Sequence, residues 1–371
     1  MRILIAPDKF KGSLSALAAA EAIARGFRTV WPSATMDLAP IADGGEGFAE
    51  ALAAALGGDW VNVRSVDAIG RPIDARYAWL SEKKLAVIEM SEASGLWRIA
   101  PEEREPLRAD TFGTGVLLAD AMARGAARVL IGLGGSATTD GGAGLARALG
   151  YRFLNSDGKA TQPTPETLNL LSQIERPSGL RLPEVIAACD VQNPLLGTRG
   201  AARVYGPQKG AGPELVEMLE RAISRLADVC TSSFGKDHRD IPGAGAAGGL
   251  GFGLLTFCDA SIRPGFDIIA ETVRLGDRIA AADLVVTGEG RLDDQTLEGK
   301  GPAGIAALAR KAGKRVIGFG GSITDAAERA GLFDMLVPIA NGLPLADAMR
   351  DAAMLLERAS ESTGRSIEIQ G

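Results

Sequence analysis

Both ends of the chain alternate short apolar runs with amphipathic, Ala-rich stretches, and this alternation constrains the fold more than any other feature of the sequence. Residues 3–6 and 36–41 are apolar runs, each followed by a stretch of helical periodicity, at 14–30 and 46–56. The far end repeats the arrangement: 282–287, 315–319 and 333–339 read as strands, and 301–312 and 344–363 as helices. Apolar runs joined by crossover helices are the pattern of a parallel sheet with helices packed on both faces. The middle of the chain is built differently, with an antiparallel excursion at 71–89 and segments rich in Pro and Gly at 163–182 and 242–253. At 371 residues the chain also exceeds the size at which one hydrophobic core stops growing. The expected architecture is therefore α/β with two α/β domains. One is an open parallel, Rossmann-like sheet assembled from both termini (1–68 and 282–371), and the second is inserted between them (69–281).

Composition removes several classes of function. A net charge of −6 leaves no electrostatic footprint for nucleic acid or an anionic membrane, so any anionic ligand must be held by a local site. The apolar run at the N-terminus is too short for a signal peptide, and no stretch approaches the roughly eighteen apolar residues of a membrane span. A cytoplasmic protein acting on small molecules is the expectation, and a homodimer is compatible with the sequence. Cys189, Cys230 and Cys258 form no Cys-x-x-Cys pair and read as buried thiols rather than a disulfide framework or zinc site. The single histidine, His238, lies in a polar run and reads as a solvated loop residue, which argues against catalysis resting on histidine.

In open α/β sheets ligands bind beyond the carboxyl ends of the strands, so the segments after the apolar runs carry the chemistry. The first, Ala6-Pro-Asp-Lys-Phe-Lys-Gly-Ser13, places Asp8, Lys9, Lys11 and Ser13 before a helix, where lysines and backbone N–H groups attract anions. The bland alternative is a turn with Ser13 as helix cap. The second, Ala42-Asp-Gly-Gly-Glu-Gly47, sets Asp43 beside Gly44 and Gly45 at another helix start. The third, Gly132-Leu-Gly-Gly-Ser-Ala-Thr-Thr-Asp-Gly-Gly-Ala-Gly144, reads as a phosphate loop in which Gly134, Gly135, Ser136 and Thr138 offer N–H groups and hydroxyls. It also reads as a variant dinucleotide fingerprint, with Asp157 near the ribose-contact distance, which keeps an NAD-dependent dehydrogenase open. Ala187-Ala-Cys-Asp-Val-Gln-Asn-Pro194 adds Asp190, and Lys209 follows in a Gly-Pro-rich turn. A last segment after residue 287 adds Glu289, Arg291 and Asp293.

Gly243-Ala-Gly-Ala-Ala-Gly248 matches the dinucleotide pattern but follows no strand, and no Walker A sequence is present. The strand-into-glycine motif at 128–138 recurs at 315–324, which suggests two similar strand-loop-helix turns. Lysines, carboxylates and Gly/Ser/Thr loops at strand ends, with hardly any histidine, are the parts phosphoryl transfer needs.

Together these segments resemble the type 1 glycerate kinases of bacteria. The resemblance runs through Ala6–Ser15, Ala42–Gly47, Gly132–Thr138 with Asp140, Ala188–Val191 with Asn193, Gln208–Ala211, Gly243–Gly249, and Thr287–Arg291 with Asp293. It implies a two-domain α/β kinase that phosphorylates D-glycerate with ATP and Mg2+, usually to 2-phosphoglycerate. On that footing Asp190 is the expected general base, alone or with Asp43 positioning the acceptor hydroxyl. Asp43, Glu289 and Asp293 are the expected Mg2+ ligands. Gly134, Gly135, Ser136 and Thr138 would cradle phosphate, and Lys11, Lys209 and Arg291 would meet carboxylate or phosphate charge. Members often carry a smaller residue where Lys9 stands, which moves weight from Lys9 to Lys11. A kinase of another small hydroxy or sugar acid would share these loops.

Overall fold

The computed structural model describes residues 1–42, 44–293 and 301–370, the side chains of 368–370 excepted. In chain order the first elements are β1 (Arg2–Ile5), α1 (Ala16–Val30), β2 (Thr35–Leu38), α2 (Phe48–Leu56), β3 (Asp59–Val66), β4 (Pro72–Leu80), β5 (Leu85–Glu89) and α3 (Ser91–Ser94). Next come α4 (Phe112–Ala123), β6 (Arg128–Gly132), α5 (Ala143–Ala148), β7 (Arg152–Asn155), β8 (Leu171–Glu175), β9 (Glu184–Ala188), α6 (Ala201–Tyr205), α7 (Pro213–Phe234), α8 (Ala246–Phe257) and β10 (Ser261–Arg263). The last are α9 (Gly265–Thr272), α10 (Leu275–Ala281), β11 (Leu284–Leu292), α11 (Pro302–Lys311), β12 (Arg315–Ile323), α12 (Asp325–Arg329), β13 (Met335–Pro338), α13 (Leu345–Arg350) and α14 (Ala352–Gln370). They divide into two compact units: Met1–Asp43, Glu50–Gly57 and Phe266–Gly371 form the first, and Gly44–Ala49 and Gly58–Gly265 the second.

The first unit is built on a five-stranded sheet in the order β13-β12-β11-β1-β2, with every neighbouring pair parallel. Its central strands are covered on both faces, which is why Ile3, Leu4, Ile5, Val285 and Val286 are fully buried. Each such side chain contributes roughly 1.5–3 kcal/mol of burial free energy. Helix α1 starts where the Ser15 hydroxyl accepts from the Ala18 amide at 3.3 Å, and it buries Ala19, Ala20, Ile23 and Phe27. Gly26 is needed because a Cβ there would lie 2.2 Å from the Glu357 carbonyl oxygen of α14. This is the parallel sheet expected from the two termini.

The second unit holds a six-stranded sheet in the order β10-β9-β6-β5-β4-β3 and a separate β7–β8 hairpin. β3, β4 and β5 pair antiparallel, and β5, β6, β9 and β10 parallel. The antiparallel excursion expected at 71–89 is there as β4 and β5, and it extends back to β3. β3 is hydrogen-bonded to β4 along its whole length, from Asp59↔Trp79 to Val66↔Pro72. That ladder draws residues from 58 onward into the inserted unit, while α9 and α10 go to the first, so the units divide at 57/58 and 265/266 instead of 68/69 and 281/282.

Three local expectations change. The stretch 344–363 is two helices, because Asp351 leaves helical geometry (φ −100°, ψ 10°). β11 and β12 run on to Leu292 and Ile323, paired in register to their last residues, so Glu289 and Arg291 sit on a strand and not in a loop after one. The glycines there bring the two backbones close: a Cβ on Gly321 would lie 2.4 Å from the Gly290 oxygen. The Gly243–Gly248 motif follows no strand, and residues 247–249 adopt left-handed backbone at φ 51°, 69° and 88°. A Cβ on Gly248 would stand 1.8 Å from the Thr138 oxygen, so this motif buttresses the Gly132–Gly144 loop from behind. Among the described residues no helix is long and apolar enough to cross a membrane.

Candidate active site

Sheet register brings the candidate segments of the second unit together. Glu89 pairs with Gly132, and Gly132 with Ala188, so β5, β6 and β9 end side by side. The segments that leave them carry the glycine loop and Asp190. Within this unit the short segment Gly44–Ala49 lies across the same strand ends. A Cβ on Gly132 would meet the Gly44 oxygen at 2.5 Å, one on Gly134 the Gly45 Cα at 2.4 Å, and one on Gly44 the Ala188 oxygen at 2.9 Å. These glycines are there because backbones approach that closely.

The loop after β6 is held from several sides. Its edge bonds to the α3 region, with the Leu96 amide donating to the Gly135 oxygen at 2.8 Å and the Ala137 amide to the Ser94 oxygen at 2.9 Å. Asp140, fully buried, accepts from the Thr111 amide (2.9 Å), the Thr111 hydroxyl (2.7 Å), the Gly142 amide (3.2 Å) and the Gly144 amide (2.9 Å). Burial pushes its carboxyl up in pKa against the pull of those donors. Gly141 and Gly142 pass through left-handed backbone (φ 63° and 78°) to make the turn around it.

Several expected residues stand differently from the sequence reading. Lys209 is buried, and its ammonium donates to the Thr138 carbonyl oxygen at 2.5 Å, so it grips the loop from within instead of presenting charge to a ligand. Burial lowers its pKa to about 7, opposed by Asp140. Thr138 is also fully buried, so its hydroxyl does not join the loop surface; of the four expected cradle residues, Gly134 and Gly135 are the open ones and Ser136 is nearly covered. Asp190 is half-buried in the turn after β9. Asp43 lies outside the described residues.

In the first unit, β1 runs beside β11, and the Asp8 amide donates to the Gly288 oxygen at 2.8 Å, which sets Asp8 next to Gly288–Glu289. The buried Asp8 carboxylate accepts from the Lys9 amide at 2.6 Å. Lys11 is exposed, and Arg291 pairs with Asp293 at 3.2 Å. Ser13 is not the helix cap, which is Ser15; its hydroxyl donates to the Phe10 oxygen at 2.9 Å, closing a tight turn. Among the described residues no group of three or more His, Cys, Asp or Glu side chains is arranged to hold a metal.

Sequence reasoning missed Glu89 and the anchoring of Asp140. Glu89 had a signal: it is the one charged residue ending the apolar run Leu85-Ala-Val-Ile, just as Asp190 follows Ala187-Ala-Cys. The three cysteines are buried thiols as expected. His238 is half-buried, its Nδ1 3.2 Å from the Thr256 hydroxyl. The dinucleotide alternative falls with the hairpin: Asp157 is exposed in the turn after β7, and β7 and β8 form a separate antiparallel two-stranded sheet, so among the described residues no βαβ unit places it at a ribose.

Two α/β units with glycine loops, buried carboxylates and a few cations at strand ends are the parts a small-molecule phosphotransferase uses. The glycerate kinase family model matches residues 3–368. A glycerate kinase of Bacillus subtilis is 43% identical over 375 residues, covering 100% of this chain and 98% of that protein. The glycerate 2-kinase of Escherichia coli is 43% identical over 329 residues, covering 88% and 86%. The crystal structure of a protein described as glycerate kinase 2 from Salmonella typhimurium LT2 superposes with a TM-score of 0.90 at 40% identity, covering 100% of this chain and 99% of that one. The chain belongs to the glycerate kinase family.

Proposed function

We propose that this enzyme transfers the γ-phosphoryl group of ATP to the 2-hydroxyl of D-glycerate in the cytoplasm, giving 2-phosphoglycerate and ADP. The observation that carries the reading is the register of β6 with β9, which sets the anchored loop Gly134–Ser136 and the half-buried Asp190 on neighbouring strand ends. An anchored loop offers its N–H groups to a phosphoryl group without reorganising, and an adjacent carboxylate can take the acceptor's proton. As the acceptor oxygen forms its bond to the γ-phosphorus, its proton passes to Asp190, and the bond to the bridging oxygen breaks with its electron pair leaving on ADP. Lys11 and Arg291 supply positive charge for carboxylate or phosphate oxygens. The 2-position is supported by the name of the Escherichia coli relative.

Glu289 on β11 and Asp293 just after it, two of the three expected metal ligands, offer hard oxygen donors in the first unit. They suit Mg2+, which takes one or two protein carboxylates and fills its other positions with phosphate and water. When bound with the nucleotide, the ion neutralises phosphate charge. A coupled assay with D-glycerate and ATP, with the product identified by NMR, tests the reaction; 3-phosphoglycerate as product would overturn the regiochemistry. Asp190→Asn is expected to lower kcat by about 10²–10⁴-fold while leaving the fold intact. A folded variant with wild-type turnover would remove Asp190 from the role of base.

A further inference from the structure

Glu89 is the last residue of β5, and its side chain is 8% exposed. One oxygen, Oε1, accepts from two backbone amides at the start of α2, Gly47 at 3.1 Å and Ala49 at 2.9 Å. Oε2 makes no hydrogen bond to any described residue. An ordinary N-cap satisfies such amides with a Ser, Thr, Asp or Asn from the adjoining turn, at little desolvation cost. Here a carboxyl from a strand some forty residues away in sequence is buried to do it, beside the acidic Glu46 and Glu92. Burial pushes its pKa up to about 7, which the amide bonds from Ala49 and Gly47 oppose. The anchored segment is the one whose Gly44 and Gly45 lie against Gly132, Gly134 and Ala188, the backbone from which the phosphate loop and the Asp190 turn emerge.

We propose that Glu89 is a positioning residue for phosphoryl transfer: by holding Gly47 and Ala49 it fixes the Gly44–Gly47 segment, and through that segment the spacing of the Gly134–Ser136 loop and Asp190. The inference rests on the reading of these loops as the transfer site. Glu89 need not touch substrate, and a neutral acceptor of the same shape is enough for the role.

The test compares Glu89→Gln and Glu89→Ala in the full chain, by steady-state kinetics and by hydrogen exchange at the Gly47 and Ala49 amides. Glu89→Gln keeps an acceptor at Oε1 and is expected to retain amide protection and kcat within about threefold of wild type. Glu89→Ala is expected to lose protection at both amides and to lower kcat on the order of 10²-fold, with KM for both substrates nearly unchanged, as for a misplacement of about 1 Å at reacting groups. Wild-type kcat in Glu89→Ala with both amides deprotected would overturn the proposal. So would a Glu89→Gln enzyme that is as slow as Glu89→Ala while its amides stay protected, because the carboxyl would then act through its charge or proton. Failure of the wild-type enzyme to phosphorylate D-glycerate would instead sink the reading of the site, and the exchange measurement would still report whether Glu89 anchors the segment.

Discussion

In the second unit, Gly132-Leu-Gly-Gly-Ser-Ala-Thr138 leaves its strand at the first glycine, whereas in the first unit Gly318-Phe-Gly-Gly-Ser-Ile-Thr324 stays in the strand through Ile323. Neighbouring strands make the difference. β5 and β9 both stop level with Gly132, so the chain beyond has no ladder to join and must bond elsewhere. β11 continues beside β12 to Leu292↔Ile323, so the same glycines are held extended and the motif ends with Thr324 capping α12. Glycine permits either outcome, and the lengths of adjacent strands choose between them. The loop copy is held by the buried polar groups Asp140 and Lys209, with Glu89 holding the Gly47–Ala49 backbone of the segment packed against it, and the strand copy by backbone pairing.

The largest effect is expected from removing the loop's central anchor. Asp140→Ala leaves the donors of Thr111, Gly142 and Gly144 buried without their acceptor, and denaturant unfolding is expected to show a loss on the order of 4 kcal/mol. A loss under 1 kcal/mol would show that the loop keeps its shape without Asp140. The loop side also carries a pH dependence. Glu89 is raised from 4.5 to about 7, so the folded state binds more protons than the unfolded one between those values. Its contribution is complete below about pH 4.5 and is lost as pH rises through about 7, a change of about 3 kcal/mol that Glu89→Gln should remove. Unfolding curves for the two proteins at pH 4.5 and 8 would show whether their stability difference moves by that amount.

The glycines themselves separate the two copies. Gly321→Ala puts a Cβ 2.4 Å from the Gly290 oxygen and should cost about 2–3 kcal/mol by forcing strands apart. Gly135→Ala, whose Cβ would lie 3.4 Å from Ser91, carries only the left-handed strain of φ 71°, about 1 kcal/mol. Equal costs would mean that the two glycines serve one purpose after all. As small an effect belongs to Thr324→Ala, which removes a helix cap in the strand copy and should lower stability by about 1 kcal/mol without changing kcat.

The alternation of apolar runs and helical stretches was enough to determine a parallel α/β sheet from the two termini with a second α/β unit inserted, because strand and helix periodicity are local properties of the chain. Residue types also pointed to polar segments at strand ends as the candidate site, and spacing over the whole length carried the family resemblance. Tertiary structure alone decided which glycine motif became a loop, where the units divide, and that Lys209 and Thr138 face inward. The residues responsible are far apart in sequence: Thr111 and Asp140 by 29 positions, Glu89 and Gly47 by 42, Lys209 and Thr138 by 71. Hydrogen bonds across such separations exist only once sheet register has brought their partners together, and register depends on pairing between strands that no local pattern specifies.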